Sequence, residues 1–479
     1  MYDILIIGCG VTGAAAAYEL SRYQLRIGVL EAANDVAMGC SKANSAIIHA
    51  GYDPAPGSLM AKLNVEGCAM AEELCAKLDV PYAKIGSMVV AFTEADEAHI
   101  QKLYERGVAN GVPELAIIDG DAARALEPNL AEGVRAALLA PSAGVISPWE
   151  YTLAMAEVAV KNGTELHLGT KVTAIEKAQH GFTVTAADGR VFNTRYIINA
   201  AGEHADTVHE LVGEKEFTVN PTRGEYYLLD KSEGTRVGRT IFQCPNELGK
   251  GVLVSPTVHG NLIVGPNAEP GSGHDNTATT AQGLAFVKKM AALSVPSVNF
   301  RENIRNFAGV RPNTEFDAFC IGESKTAKGM LNLAGIKSPG LTAAPAIAKH
   351  AVKLLGEMGV CLTEKENYED GREVVRFKHL SDEEKAAVIA KDARFGRVIC
   401  RCETITEGEI VAALHSPIPA RSINGVKRRA GSGMGRCQGG FCAPRVAAII
   451  ARELGIPQTD VLMEDEGSYV LTGKLKEEV

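Results

Sequence analysis

The chain has 479 residues, of which 46% are apolar and 22% charged, and its formal net charge is −9. These proportions are those of a globular protein and exclude extensive disorder. The negative charge argues against non-specific binding of nucleic acid. No apolar run reaches the roughly 20 residues that cross a bilayer, and the N-terminus lacks the features of a signal peptide. We therefore expect a cytoplasmic protein, at most peripheral at the inner membrane face.

The N-terminus predicts a β-α-β unit around a glycine turn. Residues 2–7 form an apolar strand, residues 14–23 an alanine-rich helix, and residues 26–30 a second strand that ends at Glu31. In such a unit the glycines let the backbone approach a pyrophosphate at the helix N-terminus, and the acid accepts hydrogen bonds from ribose. A Rossmann-like dinucleotide site is therefore predicted at Gly8, Gly10, Val11, Thr12, Gly13, Glu31 and Ala32.

The middle of the chain is rich in predicted strands. Residues 165–196 contain short strands around a hairpin turn at 188–189, and they lead into a small-residue turn at 199–202. Residues 221–267 alternate short strands with turns and predict an antiparallel sheet. A helix is predicted over 340–358, with Pro345 in its first turn.

The last quarter of the chain differs from the rest in charge and in cysteine content. Residues 364–395 are highly charged with mixed sign and predict a solvated linker with a helix over 382–390. Four of the eleven cysteines fall between 400 and 442. The other seven are expected to be reduced and mostly buried. The tail after residue 455 is acidic and is predicted to lie on the surface.

The spacing of these four cysteines suits a metal centre. Cys400-x-Cys402 is followed after 34 residues by Cys437-x₄-Cys442, with glycines around Cys437. Four thiolates can hold two irons, and seven basic residues without an acid between Glu409 and Glu453 would offset the cluster's negative charge. A structural zinc site fits the same ligands, although the short Cys-x-Cys pair is less usual for zinc. A small nucleic-acid patch is disfavoured because few aromatic residues accompany the basic ones.

Three further sequence segments help to identify the cofactor of the predicted dinucleotide site. They are SKANSAIIHAGYD at 41–53, FAGVRP at 307–312 and GIKSPGLT at 335–342. With the N-terminal motif and the turn at 199–202, residues 1–360 resemble the D-amino-acid-oxidase-like superfamily of FAD enzymes. The resemblance is to its branch of glycerol-3-phosphate dehydrogenases and L-2-hydroxyglutarate oxidases. The cysteine region resembles the bacterioferritin-associated-ferredoxin type of [2Fe–2S] domain, and the whole is similar to the A subunit of anaerobic glycerol-3-phosphate dehydrogenase and to its fused relatives.

The resemblance implies a fold and a domain division. We expect α/β and α+β architecture, in which a Rossmann-like FAD-binding domain carries an antiparallel-sheet substrate domain and a small C-terminal [2Fe–2S] domain. The oxidoreductase would span 1–365, with FAD-binding parts at about 1–85, 145–215 and 325–365 and substrate-domain parts at about 86–144 and 216–324. A linker at 366–395, the [2Fe–2S] domain at 396–455 and a tail at 456–479 would follow.

The resemblance also implies which residues contact FAD and substrate. Beyond the glycine turn, the expected FAD contacts are Ser41, Asn44, Ser45, Val172, Ala201, Gly202, Gly309, Gly340, Leu341 and Thr342. Arg311 would bind the substrate's anion, with Arg223 a weaker candidate. Lys337 matches a lysine of the glycerol-3-phosphate branch that the hydroxyglutarate branch usually lacks, so it would discriminate between the two. His49 would act as base or hydrogen-bond the flavin, and His259 would lie beside the substrate. Ala43 stands where glycerol-3-phosphate enzymes usually carry Arg, so one expected cation is missing.

The implied activity is an FAD-dependent dehydrogenase of a small anionic 2-hydroxy compound. No second GxGxxG motif is visible, which favours a flavin reduced by an organic substrate rather than by a nicotinamide. Glycerol 3-phosphate is the favoured substrate and L-2-hydroxyglutarate the alternative. Two other interpretations are a component of an amine or amino-acid dehydrogenase and a non-catalytic electron-transfer protein. Electrons would pass through FAD and the cluster to a partner protein or a quinone, in a homo- or hetero-oligomer.

Overall fold

The computed structural model of the protein describes residues 1–245, 251–271 and 273–473. Residues 246–250, in the predicted antiparallel sheet, and 474–479, in the predicted tail, lie outside this range. Three bodies make up the described chain: a parallel-centred sheet with its helices, a larger mixed sheet, and a small C-terminal helical domain.

The first sheet is built around the N-terminal strand Tyr2–Ile7. This strand pairs in parallel with Ile27–Leu30 on one side and with Val191–Asn199 on the other. The full order is Val172–Ala178, Gly181–Ala186, Val191–Asn199, Tyr2–Ile7, Ile27–Leu30 and Glu165–His167, with Met330–Ala334 pairing Val191–Asn199 and Cys320–Glu323. The carboxyl ends of its parallel strands lie at one edge, where open α/β sheets bind ligands.

Helix Val11–Leu20 packs between Pro148–Lys161 and Gly340–Glu357. Its run of alanines at 14–17 is buried, and these small side chains let the neighbouring helices approach closely. The helix begins at Val11, earlier than predicted, because Gly10 already serves as its N-cap. The remaining α-helices of the described chain are Leu59–Lys77, Glu94–Asn110, Gly120–Leu126, Ala205–Glu210, Ala281–Ser294, Asp382–Lys391, Glu407–Leu414, Ile423–Ala430 and Ala443–Leu454.

The helix Gly340–Glu357 corrects the prediction for Pro345. Because the helix begins at Gly340, Pro345 is its sixth residue and lies inside the helix rather than in the first turn. Proline lacks the N–H that would bond the carbonyl four residues earlier, which here belongs to Leu341. The carbonyl of Leu341 therefore lacks its helical partner.

The second sheet is largely antiparallel, as expected. Its strands run in the order Glu269–Pro270, Thr222–Leu229, Leu262–Gly265, Leu253–Pro256, Thr240–Gln243, Ser87–Ala91, Ala136–Ala140 and Ala116–Asp119, with Asn303–Arg311 pairing Thr222–Leu229. The pair Thr240–Gln243 and Ser87–Ala91 is parallel, which the purely antiparallel prediction missed. A small sheet of Ile47–Ile48, Gly144–Ile146 and Tyr82–Ala83 lies apart from both large sheets.

The segment before the cysteine domain is largely exposed and contains the predicted helix, but some of its charged residues anchor it to the first body, which the prediction missed. Asp370 accepts hydrogen bonds from Tyr18, Arg22 and Lys77. Further on, the buried Arg372 donates to Glu157 at 2.6 Å. Asp370 and Arg372 thus bind oppositely charged side chains of the first body, which composition alone does not reveal.

The C-terminal domain has its own core. Its two short strands Val398–Cys400 and Ile405–Thr406 pair antiparallel, and the three helices from Glu407 onward pack around buried Ile410, Val426 and Ile450. The domain is fixed to the loop after the second strand by Asp35, whose carboxylate accepts from both Arg428 and Arg429. The tail returns to the same region, where Glu464 binds Arg428 and lies 3.7 Å from Lys42.

Candidate active site and cysteine centre

A cavity of about 680 Å³ opens at the carboxyl edge of the first sheet. Its volume is in the range of pockets that enclose cofactors and other small molecules. Fifteen of the predicted cofactor residues line it, and they are Gly8, Gly10, Val11, Thr12, Glu31, Ala32, Ser41, Asn44, Ser45, Val172, Ala201, Gly202, Gly309, Gly340 and Leu341.

The glycine turn is shaped by steric need. Gly8 has φ +97°, and a Cβ there would collide with the carbonyl of Ala200 on the neighbouring strand. A Cβ on Gly13 would collide with the Gly8 carbonyl, so a glycine here lets the helix pack closely against the strand. Gly13 does not line the cavity. The turn therefore leaves an open backbone cradle at the start of helix Val11–Leu20, where an anion is favoured.

Glu31 closes the same end of the cavity. Its carboxylate accepts from the backbone N–H of Cys9 at 2.7 Å and from that of Ala33 at 2.8 Å. Burial raises its pKa, and the two backbone hydrogen bonds oppose that rise. The carboxylate is held in place with lone pairs left over for the hydroxyl groups of a ribose. Together with the glycine cradle, this end fits a dinucleotide.

The loop 38–46 forms one wall of the cavity. Ser41 accepts from the backbone N–H of Val11 at 2.8 Å, which ties the loop to the helix start. Asn44 donates to the carbonyls of Cys40 and Ser41, both at 3.0 Å, and accepts from the backbone N–H of Ala46 at 2.8 Å. The amide of Asn44 thus shapes the turn, and the backbone of the loop is what faces the cavity.

The opposite end of the cavity gathers polar and cationic side chains. Arg311 lines it and hydrogen-bonds to Tyr226, whose hydroxyl lies 3.1 Å from Ser45 Oγ. Among the described residues, no carboxylate lies within ion-pair distance of Arg311. A partly buried guanidinium without an acid beside it is suited to a bound carboxylate or phosphate.

His49 and Lys337 lie at this end as well. His49 Nε2 is 3.2 Å from Ser338 Oγ, and its ring stacks on Phe242. Burial lowers the pKa of His49 to about 4, so the imidazole is neutral at pH 7 and can accept a proton. Lys337 Nζ lies 2.7 Å from the exposed Asp317 carboxylate, which offsets part of its charge.

Two other predicted residues, Thr342 and Arg223, lie away from the cavity. Thr342 is behind it: its hydroxyl accepts from the backbone N–H of His49 and so positions that residue's backbone. Arg223 points to the opposite face of its strand, where it pairs with Glu225 at 3.2 Å. Strand side chains alternate, so Tyr226 faces the cavity and Arg223, three residues earlier, does not. The position of Arg223 does not support a substrate contact.

His259 also lies elsewhere. It sits in the turn after strand Leu253–Pro256, stacks on Trp149 with ring centroids 5.8 Å apart, and lies 3.7 Å from Glu150. It lines a second cavity, of about 580 Å³, between the two sheets and the cysteine domain. The turn places it at the end of the sheet that faces that domain, which contradicts its expected place beside the substrate.

Sequence reasoning missed Tyr226, Ser338 and Glu203, which all line the first cavity. A signal for Tyr226 is its place on the predicted sheet, three residues from Arg223 and so on the other face of the strand. Glu203 follows the predicted turn at 199–202 directly, and burial raises its pKa. Ser338 contacts His49 across 289 positions of sequence, which no local pattern reveals.

The four cysteine thiols come together in the C-terminal domain. Cys400 and Cys402 have their sulfurs 3.7 Å apart, while Cys400 also contacts Cys442 and Cys402 contacts Cys437. The contact with Cys442 lowers the pKa of Cys400 to about 5. None of the described residues form a group of three or more donors placed around a single ion. Linked pairs of thiols suit a two-iron cluster better than a mononuclear zinc site.

Backbone N–H groups point at these sulfurs. Those of Gly433 and Glu403 donate to Cys400, and those of Phe441, Gly439 and Gly440 donate to Cys437. A Cβ on Gly435 would collide with the sulfur of Cys402. Such donors and close backbone approach stabilise the thiolate charge of an iron–sulfur site.

The two centres share a wall. Residues Met38–Ala46 border both cavities, and the far side of the second cavity is formed by Met434 and Gln438, which flank Cys437. The cysteine centre therefore lies across one cavity from the loop that bounds the dinucleotide site. Within the described residues, none of the helices combines the length and apolar character needed to traverse a bilayer.

Comparisons with known families agree with both centres. The family model "FAD dependent oxidoreductase" matches residues 3–354, and the model "BFD-like [2Fe-2S] binding domain" matches residues 398–452. The cradle at Gly8, the buried Glu31 and the paired thiols fit these two groups. FAD and a [2Fe–2S] cluster are thus the cofactors of this chain.

Individual relatives point the same way. The chain is 47% identical to "Glycerol 3-phosphate dehydrogenase" of Caloramator mitchellensis over 100% of both chains. It resembles the FAD-bound structure of L-alpha-glycerophosphate oxidase from Mycoplasma pneumoniae, with TM-score 0.74 and 33% identity over 78% of this chain and 99% of that one. The mitochondrial L-2-hydroxyglutarate dehydrogenase of Nematostella vectensis is more distant, at 29% identity over 70% of this chain and 74% of that one.

Proposed function

This chain belongs to the FAD-dependent oxidoreductase family, and we propose that it oxidises glycerol 3-phosphate to dihydroxyacetone phosphate. When bound, FAD would supply the two-electron acceptor, and the cluster of the [2Fe–2S] domain would supply one-electron transfer. The observation that carries the proposal is the placement of Arg311, with no carboxylate paired to it among the described residues, at the end of the cavity that also holds His49 and Lys337. Two of the relatives named above, the dehydrogenase of Caloramator mitchellensis and the oxidase of Mycoplasma pneumoniae, carry glycerol 3-phosphate or glycerophosphate in their names.

Arg311 would bind the phosphate. Its planar guanidinium offers paired N–H donors to two phosphate oxygens, and its contact with Tyr226 fixes the orientation of that fork. Lys337 adds a second positive charge nearby. This pair of cations would compensate for the expected arginine that this chain lacks at Ala43.

His49 would take the hydroxyl proton. Because burial keeps the imidazole neutral, Nε2 has a lone pair to accept that proton at pH 7. Ser338 lies 3.2 Å from Nε2 and would hold the ring in place. When FAD is bound, it supplies the acceptor for the hydride that leaves the same carbon.

The dinucleotide contacts follow from the cavity. The backbone around Gly8 and Gly10 would face the pyrophosphate, Glu31 would bind ribose, and the loop containing Ser45 would lie along the flavin. The thiolates of Cys400, Cys402, Cys437 and Cys442 would ligate the two irons, which supply one-electron transfer. A partner protein or a quinone would be the final acceptor, at the cytoplasmic face of the membrane.

Anaerobic titration of the purified holoenzyme tests the proposal. Glycerol 3-phosphate is expected to bleach the flavin absorption and to produce the EPR signal of a reduced [2Fe–2S] cluster. L-2-hydroxyglutarate and proline serve as the competing substrates. Bleaching by either of these at a lower concentration than by glycerol 3-phosphate would replace the proposed substrate with that compound.

A further inference from the structure

The cysteine centre has an exposed side. Phe441 lies between two of the thiols, Cys437 and Cys442, and it is 86% exposed. That exposure is higher than that of any other large apolar side chain in the described part of the chain. The backbone N–H of Phe441 donates to the sulfur of Cys437, so the main chain is fixed while the ring projects outward.

Three arginines lie close to the four cysteines in sequence. Arg401 lies between Cys400 and Cys402, and Arg436 and Arg445 flank the second pair of cysteines. All three are exposed. Arg436 is held by Asp230 and Glu302 of the neighbouring sheet. In the described residues neither Arg401 nor Arg445 has an ion-pair partner.

Acidic side chains are missing from the same loops. Glu403, the one acid beside the cysteines in these loops, is buried and neutralised by Lys231 and Lys378. The sequence from 410 to 452 contains no acid at all. We call the exposed set Arg401, Arg436, Phe441, Pro444 and Arg445 the Phe441 face. It is a basic surface with an apolar centre on a protein whose net charge is −9.

We propose that the Phe441 face docks an acidic one-electron acceptor protein. The proposal deepens the function proposed above by naming the class of acceptor. Arg401 and Arg445 would pair with carboxylates at the rim of the interface, and Phe441 would be covered at its centre, which is the usual anatomy of a protein interface. Each docking event reduces the acceptor's metal by one electron. Two such events balance the two electrons released per substrate, whose protons go to solvent.

None of the residues of the Phe441 face lines either of the two cavities. Met434 and Gln438 line the cavity on the flavin side, whereas Phe441 projects to solvent. Met434, Gln438 and Phe441 all lie close to Cys437 in sequence. Electrons can therefore arrive and leave on different sides without a movement of the domain, and the acceptor does not compete with substrate for the first cavity.

Binding is the primary test, because it needs no turnover. The oxidised full-length holoenzyme is titrated calorimetrically with cadmium-substituted plastocyanin, an acidic and redox-inert protein, at low ionic strength. Arg401→Glu/Arg445→Glu is expected to weaken binding by about tenfold or more, since it reverses two rim charges. Arg421→Glu, an exposed arginine of the same domain outside the cysteine loops, is the matched control and is expected to change binding less than twofold.

Phe441 is tested by the same titration. Phe441→Ala should weaken binding even at an ionic strength near 0.5 M, where charge attraction is largely screened. Val191→Ala, which removes an exposed apolar side chain far from the cysteines, should not. Retention of the cluster's EPR signal in each variant excludes loss of folding as the cause.

Electron transfer gives an independent readout. The enzyme is reduced photochemically, so that the result does not depend on its substrate, and then mixed with copper plastocyanin, basic cytochrome c or the neutral quinone menadione. Reoxidation by plastocyanin should slow as salt rises, whereas that by menadione should not. Equal binding by the Arg401/Arg445 and Arg421 variants, or equal rates with plastocyanin and cytochrome c at low salt, would overturn the proposal. Failure of glycerol 3-phosphate to bleach the flavin would overturn only the proposed function.

Discussion

Asp35 and Arg429 form a bidentate, buried ion pair that joins the dinucleotide loop to the cysteine domain. The two guanidinium nitrogens of Arg429 lie 2.8 and 2.7 Å from the two carboxylate oxygens, and Asp35 is only 3% exposed. Arg428 adds a third hydrogen bond at 2.7 Å. Asp35 lies four residues beyond Glu31, so the chain that closes the dinucleotide end also holds the iron–sulfur domain.

Asp35→Asn should loosen this domain junction. Removing one charge of a buried pair typically costs about 3–5 kcal/mol, because the partner charge is left uncompensated. We expect faster hydrogen exchange in helix Ile423–Ala430 and slower reduction of the cluster by substrate, with flavin bleaching unchanged. Asp188→Asn, which breaks an exposed pair with Arg190, is the control and should leave both readouts near wild type. Unaltered exchange in the Asp35 variant would show that the pair does not hold the junction.

The same pair predicts a loss of stability in acid. Burial alone would raise the pKa of Asp35, but Arg429 and Arg428 together lower it to about 2. A carboxyl with a depressed pKa stabilises the fold fully above its unfolded pKa, and that stabilisation is lost as the pH falls through the folded pKa. Thermal unfolding between pH 5 and pH 2 should therefore show a steeper loss of stability in wild type than in Asp35→Asn. Parallel curves for the two proteins would contradict the assignment.

His49→Gln should slow flavin reduction by roughly 10²–10⁴-fold, the usual contribution of a general base. Because the pKa of His49 is lowered to about 4, the wild-type imidazole is neutral above that pH, and its contribution should be constant from pH 6 to 8. Below pH 5 the rate should fall as His49 protonates. Stopped-flow bleaching across pH checks this, with the exposed His180→Gln as control. An unchanged rate of flavin bleaching in His49→Gln would show that His49 does not take part in the reaction.

Arg311→Gln should raise KM for glycerol 3-phosphate strongly and lower kcat/KM about 10²-fold, because a charge-assisted bond to phosphate is lost. Arg223→Gln is the matched test, since Arg223 lies on the same sheet with its side chain on the opposite face. It should lower the melting temperature, because Glu225 loses its partner, and leave KM near wild type. Equal KM changes in the two variants would indicate that Arg223 also contacts the substrate.

Gly435→Ala should reduce loading of the iron–sulfur cluster, because the new methyl group would occupy the position of the Cys402 sulfur. The expected result is a weaker EPR signal and less iron per flavin, with substrate still bleaching the flavin. Gly133→Ala adds a methyl group that meets only an ordinary van der Waals contact with Phe92, and it serves as the control. Normal iron content in Gly435→Ala would mean that the cysteines are not held in this arrangement.

Local patterns in the sequence were enough to predict the parts of the site that depend on backbone. The glycine turn, Glu31 and the cysteine spacing each belong to one short segment, so their chemistry could be read in order along the chain. The expected FAD contacts from Ser41 to Leu341, which the family resemblance implies, also line the cavity.

Local patterns do not predict on which face of a strand a side chain lies, or which residues distant in sequence come into contact. Arg223 and Tyr226 lie on one predicted strand, and only the register of the sheet decides which of them reaches the cavity. The place of His259 on the predicted substrate sheet predicts that it lies beside the substrate. Its turn, however, is at the end of the sheet next to the cysteine domain. The charged residues 366–376 suggested solvent exposure, although Asp370 and Arg372 have partners more than 200 positions away.

The loop from Glu31 to Lys42 has a consequence for engineering. Its residues hold the dinucleotide end, the iron–sulfur domain through Asp35, and the returning tail through Lys42 and Glu464. A chimera that exchanges only the C-terminal module with a relative would separate Arg428 and Arg429 from their carboxylate. Transplanting that module successfully requires grafting this loop along with it.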